Sequence, residues 1–239
     1  MTLSPLTARR IALFKANRRG FWSLWIFLAL FLLTLCAELI ANDSPIVLRY
    51  KGEFYFPVFK AYSEQTFGGD FETEAVYRDA YVQKLIEQDG DGWMIWPPIR
   101  FSYQTVNLNL SQPAPSPPTA ENWLGTDDGG RDVLARVLYG FRISVLFGLA
   151  LTIFSSAIGV TAGAIQGFYG GKVDMIAQRF IEIWSSMPSL YILIIFSALF
   201  APGFWTLLLI LLLFSWTHLV DVVRAEFLRA RSLDYVRAA

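Results

Sequence analysis

The chain has 239 residues, 54% of them hydrophobic and only 17% charged, with eight tryptophans and twenty phenylalanines. That charge content is below the roughly 25% of soluble domains, and a mean hydropathy of +0.42 with long apolar runs reads as integral membrane. A net charge of zero carries no nucleic-acid footprint, and one Cys with one His leaves almost no ligands for a zinc cluster.

Residues 1–20 hold Arg9, Arg10, Lys15, Arg18 and Arg19 and no acid. An apolar stretch follows at 21–41, broken only by Ser23, Thr34 and Glu38. A cleaved signal would have a shorter apolar region, about 7–15 residues, and a small-residue cleavage site. Neither is present, and Leu35 before Cys36 argues against a lipoprotein site. The stretch is therefore predicted to be a retained first transmembrane helix with its basic end in the cytoplasm. Glu38 then falls near the far interface, where it reaches water.

Residues 42–142 have a different character. From 42 to 140 there are fourteen acidic and eight basic residues, a net of −6. Strand-like runs at 46–50, 53–58 and 99–103 sit beside a helical patch at 73–87, which predicts a small α+β insert facing water on the outer side. The S-Q-P-A-P-S-P-P-T run at 111–119 reads as an extended connector. The G-T-D-D-G-G-R-D run at 125–132 brings together Asp127, Asp128 and Asp132. Its spacing does not fit an EF-hand loop. It reads as a turn in which an Asp caps a helix and Asp132 pairs with Arg136 one turn on. Val133, Leu134, Val137 and Leu138 would line a short interfacial helix leading into the next span.

From 143 to 167 there is no charged residue. Twenty-five residues make a helix of about 37 Å, enough to cross a hydrocarbon core of about 30 Å with some tilt. Ser155, Gly159, Gly163 and Gly167 recur every fourth residue, and Ser144, Gly148, Thr152 and Ser156 form a parallel ridge. Small residues at that spacing let another backbone come close in a bilayer. The second span is thus expected near 143–168, ended by Gly170 and Gly171.

The third crossing is expected at 173–200. Its first half sets Lys172, Asp174, Arg179 and Glu182 against Met175, Ile176, Phe180, Ile183 and Trp184. Pro188 removes a backbone donor and frees the Trp184 carbonyl, which predicts a kink. A fourth crossing returns at 204–223. It carries His218 and Asp221 on one face, either as a structural interfacial pair or as a proton-relay or substrate group. The ends 1–20 and 224–239 together hold nine bases and two acids. Both termini are therefore expected to be cytoplasmic, with four crossings between them. Ala225, Leu228, Leu233 and Val236 fall near one face of a helical tail.

The run G-T-D-D-G-G-R-D-V-L-A-R-V-L-Y-G-F-R-I-S at 125–144 resembles the permease subunits of bacterial peptide ABC importers. The resemblance continues through the small-residue helix, G-G-K-V-D-M, M-P-S-L at 187–190, and A-E-F-L-R-A-R-S-L-D-Y-V-R-A-A at the end. The insert, with F-P-V-F-K-A-Y, F-G-G-D-F-E-T-E-A and W-M-I-W-P-P-I-R-F-S-Y, is similar to the microcin C/peptide importer branch. The resemblance implies an all-α polytopic membrane protein of the type I importer permease fold with a small α+β periplasmic insert. It implies a bacterial inner-membrane location. The implied partners are a second permease subunit, cytoplasmic ATP-binding subunits and a periplasmic peptide-binding protein. The segment Asp234, Tyr235, Val236, Arg237, Ala238 and Ala239 would open the loop that docks on the ATPase, although Arg237 stands where that loop's first Glu would be. The family continues past this point with further spans, so the chain reads as the front part of such a permease.

No catalytic or cofactor residue is implied. The chain has no Gly-x4-Gly-Lys-Ser/Thr phosphate loop, which places nucleotide on a partner. An intramembrane aspartyl protease would need two intramembrane Asp where only Asp221 is available. A rival of another class is a membrane-anchored sensor whose outer insert binds a ligand; two ridged and kinked helices exceed what an anchor needs.

Overall fold

The computed structural model describes residues 4–88, 90–201 and 203–233. Two compact units divide the chain, Met1–Ile143 and Ser144–Ala239.

In the first unit, α1 (Pro5–Ala16) starts where the Ser4 hydroxyl accepts the Thr7 N–H, with Pro at the first helical position. It buries no residue. Asn17 ends α1 and caps α2 (Arg18–Leu35), its side-chain oxygen accepting the Gly20 N–H at 3.2 Å. A short α3 (Ala37–Ile40) follows. The predicted first span, 21–41, falls on α2 and α3.

The insert folds around a three-stranded antiparallel sheet of order β2-β1-β3, built from β1 (Val47–Tyr50), β2 (Glu53–Tyr55) and β3 (Trp93–Ile95). Lys51 and Gly52 join β1 to β2 with both φ angles positive, the two-residue turn whose twist matches the strands. Register places Leu48 opposite both Tyr55 and Met94. Leu48 thereby faces the core with Tyr50, Phe67, Ala75, Tyr77, Val82 and Ile86. Val82 and Ile86 come from one face of α4 (Ala80–Glu87), which Asp79 caps by accepting the Tyr81 N–H at 2.9 Å. Phe67 lies edge-on to Tyr50, Tyr55, Tyr62 and Tyr77 at 5.4–6.3 Å between ring centroids.

Two expectations are corrected here. The third strand is at 93–95, not 99–103, because Pro97 and Pro98 interrupt the ladder before Ile99, which makes only an isolated bridge to Ala41. The helical patch begins at Ala80 rather than near Thr73, because Asp79 supplies the cap. A second small core joins Ala37 and Ala41 to Ile99, Phe101, Ala135 and Tyr139.

α5 (Val133–Tyr169) begins in the first unit and continues into the second as one helix of 37 residues. The separate interfacial helix expected before the span does not exist. Its residues are the first turns of α5, and nothing between Val133 and Gly167 interrupts the hydrogen-bond ladder. The second unit continues with α6 (Gly171–Ser185), α7 (Ser189–Leu199), α8 (Phe204–Ser215) and α9 (Thr217–Ala230). α6 and α7 meet at 68°. Among the described residues three helical stretches are long and apolar enough to cross a membrane, 18–35, 133–169 and 204–230, and a fourth if the bent pair is one span. α7 alone, with 11 residues, is about 16 Å long and too short to cross.

Truncating the fully buried Phe67 removes the ring around which four tyrosines pack. Phe67→Ala is expected to destabilise the insert by about 3–5 kcal/mol. Hydrogen exchange of the β1 and β2 amides in the intact chain should accelerate accordingly, while exchange in α5 beyond Ile143 stays unchanged.

Candidate functional site

The turn before α5 is organised by two carboxylates with separate tasks. Asp127 accepts the backbone N–H groups of Gly129 and Arg131 at 2.9 and 2.8 Å and pairs with the guanidinium groups of Arg131 and Arg136. Asp132 is fully buried. One of its oxygens accepts the Ala135 N–H at 2.7 Å, capping α5, and the other accepts Asn122 Nδ2 at 2.9 Å. Asn122 in turn accepts from Asn107 Nδ2 at 2.9 Å. A carboxylate so buried is tolerable only with its oxygens satisfied. The expected Asp132–Arg136 pair is therefore corrected: Arg136 turns to Asp127, and Asp132 is committed to the cap and to Asn122. Among the described residues no group of three or more His, Cys, Asp or Glu could hold a metal ion.

Glu38 has a partner that the sequence did not reveal. Arg142 Nη1 donates to both of its carboxylate oxygens at 2.8 and 2.9 Å. The same guanidinium lies 5.0 Å from the centroid of the Tyr139 ring, and the Tyr139 hydroxyl donates to the Ala41 carbonyl at 3.0 Å. These contacts fasten α3 to the start of α5. The partners are 104 residues apart in sequence, beyond any local pattern.

The glycine ridge of α5 lies against α9. A Cβ placed on Gly159 would fall 2.7 Å from the Trp216 carbonyl oxygen, one on Gly163 2.8 Å from that of Val220, and one on Gly167 2.7 Å from that of Arg224. These carbonyls are themselves four residues apart, so two i+4 rows run side by side. Ser155, the first member of the ridge, donates its hydroxyl to the Thr152 carbonyl at 3.4 Å. The parallel ridge is different: a Cβ on Gly148 would meet nothing within 4 Å, and Thr152 bonds back to the Gly148 carbonyl.

A polar seam joins α6 to α9. Arg224 reaches both oxygens of Asp174, the second at 2.7 Å through Nη2. Gln178 Nε2 donates to Asp221 at 3.1 Å. Trp184 Nε1 donates to the Leu213 carbonyl of α8 at 2.8 Å. His218 and Asp221 do not form the expected pair: no hydrogen bond joins them, His218 is exposed, and the partner of Asp221 is Gln178. At the bend, Pro188 precedes the first residue of α7, and the Met187 N–H donates to the Trp184 carbonyl at 3.3 Å, occupying the acceptor that the proline leaves free. Asp234 to Ala239, expected to open the docking loop, lie outside the described residues.

Comparison with known proteins gives these contacts a family. Residues 159–239 match the family model "Binding-protein-dependent transport system inner membrane component". The whole chain is similar to the inner membrane ABC transporter permease protein YejE of Escherichia coli (strain K12). The two are 57% identical over 237 residues, which cover 99% of this chain and 69% of that protein. The chain belongs to the inner-membrane permeases of peptide ABC importers. It is also 56% identical to the peptidoglycan transport system permease protein YejE of Agrobacterium fabrum, over 99% of this chain and 68% of that one. Similarity to the oligopeptide permease protein OppC of Bacillus subtilis is 36% over 140 residues, 59% of this chain and 45% of that one. The chain is thus a multi-pass inner-membrane transport subunit. The family match in this permease begins at Gly159, the first glycine packed against α9.

A leucine at 163 would have to displace the α9 backbone at Val220 and the Val223 side chain. Gly163→Leu is expected to destabilise the helix pair by at least about 1–3 kcal/mol. The yield of monodisperse protein in detergent should fall several-fold, as about 1.4 kcal/mol is already tenfold in an equilibrium. Gly148→Leu, with open space around it, should leave the yield unchanged.

Proposed function

We propose that this permease lines part of a peptide path together with a second permease subunit. It receives peptide from a periplasmic binding protein and is driven by ATP hydrolysed on cytoplasmic subunits. The observation that carries this is the similarity, over 99% of this chain, to an ABC transporter permease, joined to the close packing of α5 on α9. The permease does no chemistry. Two packings of the bundle, open to either side, would be biased by ATP binding elsewhere. The chain lacks a phosphate-binding loop of its own, in keeping with nucleotide bound on a partner.

In this reading 1–20 is cytoplasmic, 21–41 crosses first, 42–142 is periplasmic, and 143–239 opens the permease domain with crossings near 143–168, 173–200 and 204–223. The nine bases against two acids at the two ends favour that orientation. Asp234 to Ala239 would begin the contact with the ATPase. The α6–α9 seam, with Arg224 on Asp174, lies just before that segment in the chain and would carry motion from it to α6. As substrates we propose short peptides of the microcin C-like kind; the name of the Agrobacterium relative, a peptidoglycan transport system permease, adds peptidoglycan as a class to test.

Reporter fusions at Gly69 and Gly171 should give opposite signals, Gly69 periplasmic and Gly171 cytoplasmic. A cytoplasmic signal at Gly69 overturns the orientation. For transport, disruption of the gene at its native locus should confer resistance to a toxic peptide of the proposed class. Gly163→Leu at that locus should do the same, and an affinity tag on the permease should co-purify an ATP-binding protein. Undiminished sensitivity in the disrupted strain would reject the substrate class, and absence of the ATP-binding protein would favour a sensor.

A further inference from the structure

The insert contains a cavity of about 290 Å³ with two arginines in its lining. It is lined by Arg78, Gln83, Trp96, Arg100, Phe101 and Glu121, among others. Arg78 lies with its guanidinium carbon 3.9 Å from the centroid of the buried Phe101 ring, and Arg100 lies 5.3 Å from that of Trp96. A guanidinium held over an aromatic ring is already ordered and loses little further freedom when it engages a ligand. Neither arginine takes part in an ion pair among the described residues. Glu121 lines the same cavity without making one. Gln83 is already engaged, donating to the Tyr77 carbonyl at 3.0 Å. Burial lowers the Arg78 pKa from the usual guanidinium value; Glu121 and Asp43 oppose that shift and Arg100 adds to it. Arg78 remains charged.

Two guanidinium groups brought to one cavity repel each other, a cost that an ordinary surface avoids by spacing them. The residues lining the cavity include two arginines and one acid, Glu121, an excess of one positive charge on the walls, with Asp43 acting on Arg78 from outside them. A planar anion with two oxygens matches the N–H fork of an arginine, and its single negative charge offsets the one positive charge in excess on the walls. The volume is at the lower end of ligand pockets, about 300 Å³, which suits a small acid or the terminal residue of a longer molecule. We infer that the Arg78–Arg100 cavity of the insert is a binding site for a small organic carboxylate, free or at the end of a peptide.

The test uses the full chain in lipid nanodiscs, with calorimetric titration of acetate, N-acetyl-dialanine and N-acetyl-dialanine amide. Wild-type protein should bind at least one of the two carboxylates saturably and the amide not at all. Binding should weaken as salt is raised, because the charges are partly exposed. Equal binding of acetate and N-acetyl-dialanine identifies a free carboxylate as sufficient; preference for the dipeptide identifies a peptide end. Arg100→Gln, at an exposed position that leaves folding intact, should weaken binding by about fivefold or more, and Arg78→Gln likewise. Glu121→Gln should strengthen it by about two- to fourfold by removing the opposing charge. Lys60→Gln, outside the cavity, should leave it unchanged. Absence of saturable carboxylate binding by the wild type, equal binding of the amide, or wild-type affinity in Arg100→Gln would overturn the assignment. Calorimetry reads binding without transport, so loss of binding and loss of uptake are separate outcomes.

Discussion

Close approach of two helix backbones is the constraint on which the membrane unit depends. In hydrocarbon there is no water to drive apolar surfaces together, so helices associate by dispersion and by a few polar contacts. Gly159, Gly163 and Gly167 remove the side chains that would hold α9 away, and the α9 carbonyls at 216, 220 and 224 settle opposite them. The polar contacts of α9 sit on the same length of helix: Arg224 on Asp174 and Asp221 on Gln178. The register that seats the glycines therefore also brings the charges of α6 and α9 together.

In the first unit the corresponding task falls to charges and buried amides. α5 starts at a carboxylate, Asp132, that is wholly enclosed and held by Asn122 and by its own capped N–H. Ten residues further on, Arg142 is clamped on Glu38 and laid against Tyr139. Between them the beginning of a 37-residue helix is fixed at one turn of its length after another, with the apolar contacts of Ala135 and Tyr139 filling the interval. Asp132, Arg136 and Arg142 each have a partner, in Asn122 with the Ala135 N–H, Asp127 and Glu38 respectively.

The bend between α6 and α7 shows how a proline is accommodated. Pro188 cannot donate to Trp184, and the Met187 N–H takes that carbonyl instead. The indole of Trp184 then reaches the Leu213 carbonyl on α8. A 68° bend is thereby tied to its neighbour rather than left as a loose joint.

Local pattern determined a good deal by itself. An uncharged apolar run of 25 residues reads as a membrane helix because a helix satisfies every backbone group within the segment itself and the run is far longer than a barrel strand, and the four-residue period of Gly159, Gly163 and Gly167 marks a face made for close packing. Pro188 announces its own break in the helix because its ring lacks an N–H. What tertiary structure alone decided is partnership. Two small-residue ridges looked equivalent in sequence, yet the one containing Gly163 meets α9 while Gly148 faces open space. Arg136 had an acid one turn away and chose Asp127, because burial and the helix cap had already claimed Asp132. His218 and Asp221 share a face, but Asp221 binds Gln178 from another helix. Glu38 and Arg142, or Arg78 and Arg100 with their aromatic supports, belong together only in space. Periodicity reports which face a residue occupies; which group waits opposite that face depends on segments many residues away, and those are set by how the whole chain packs.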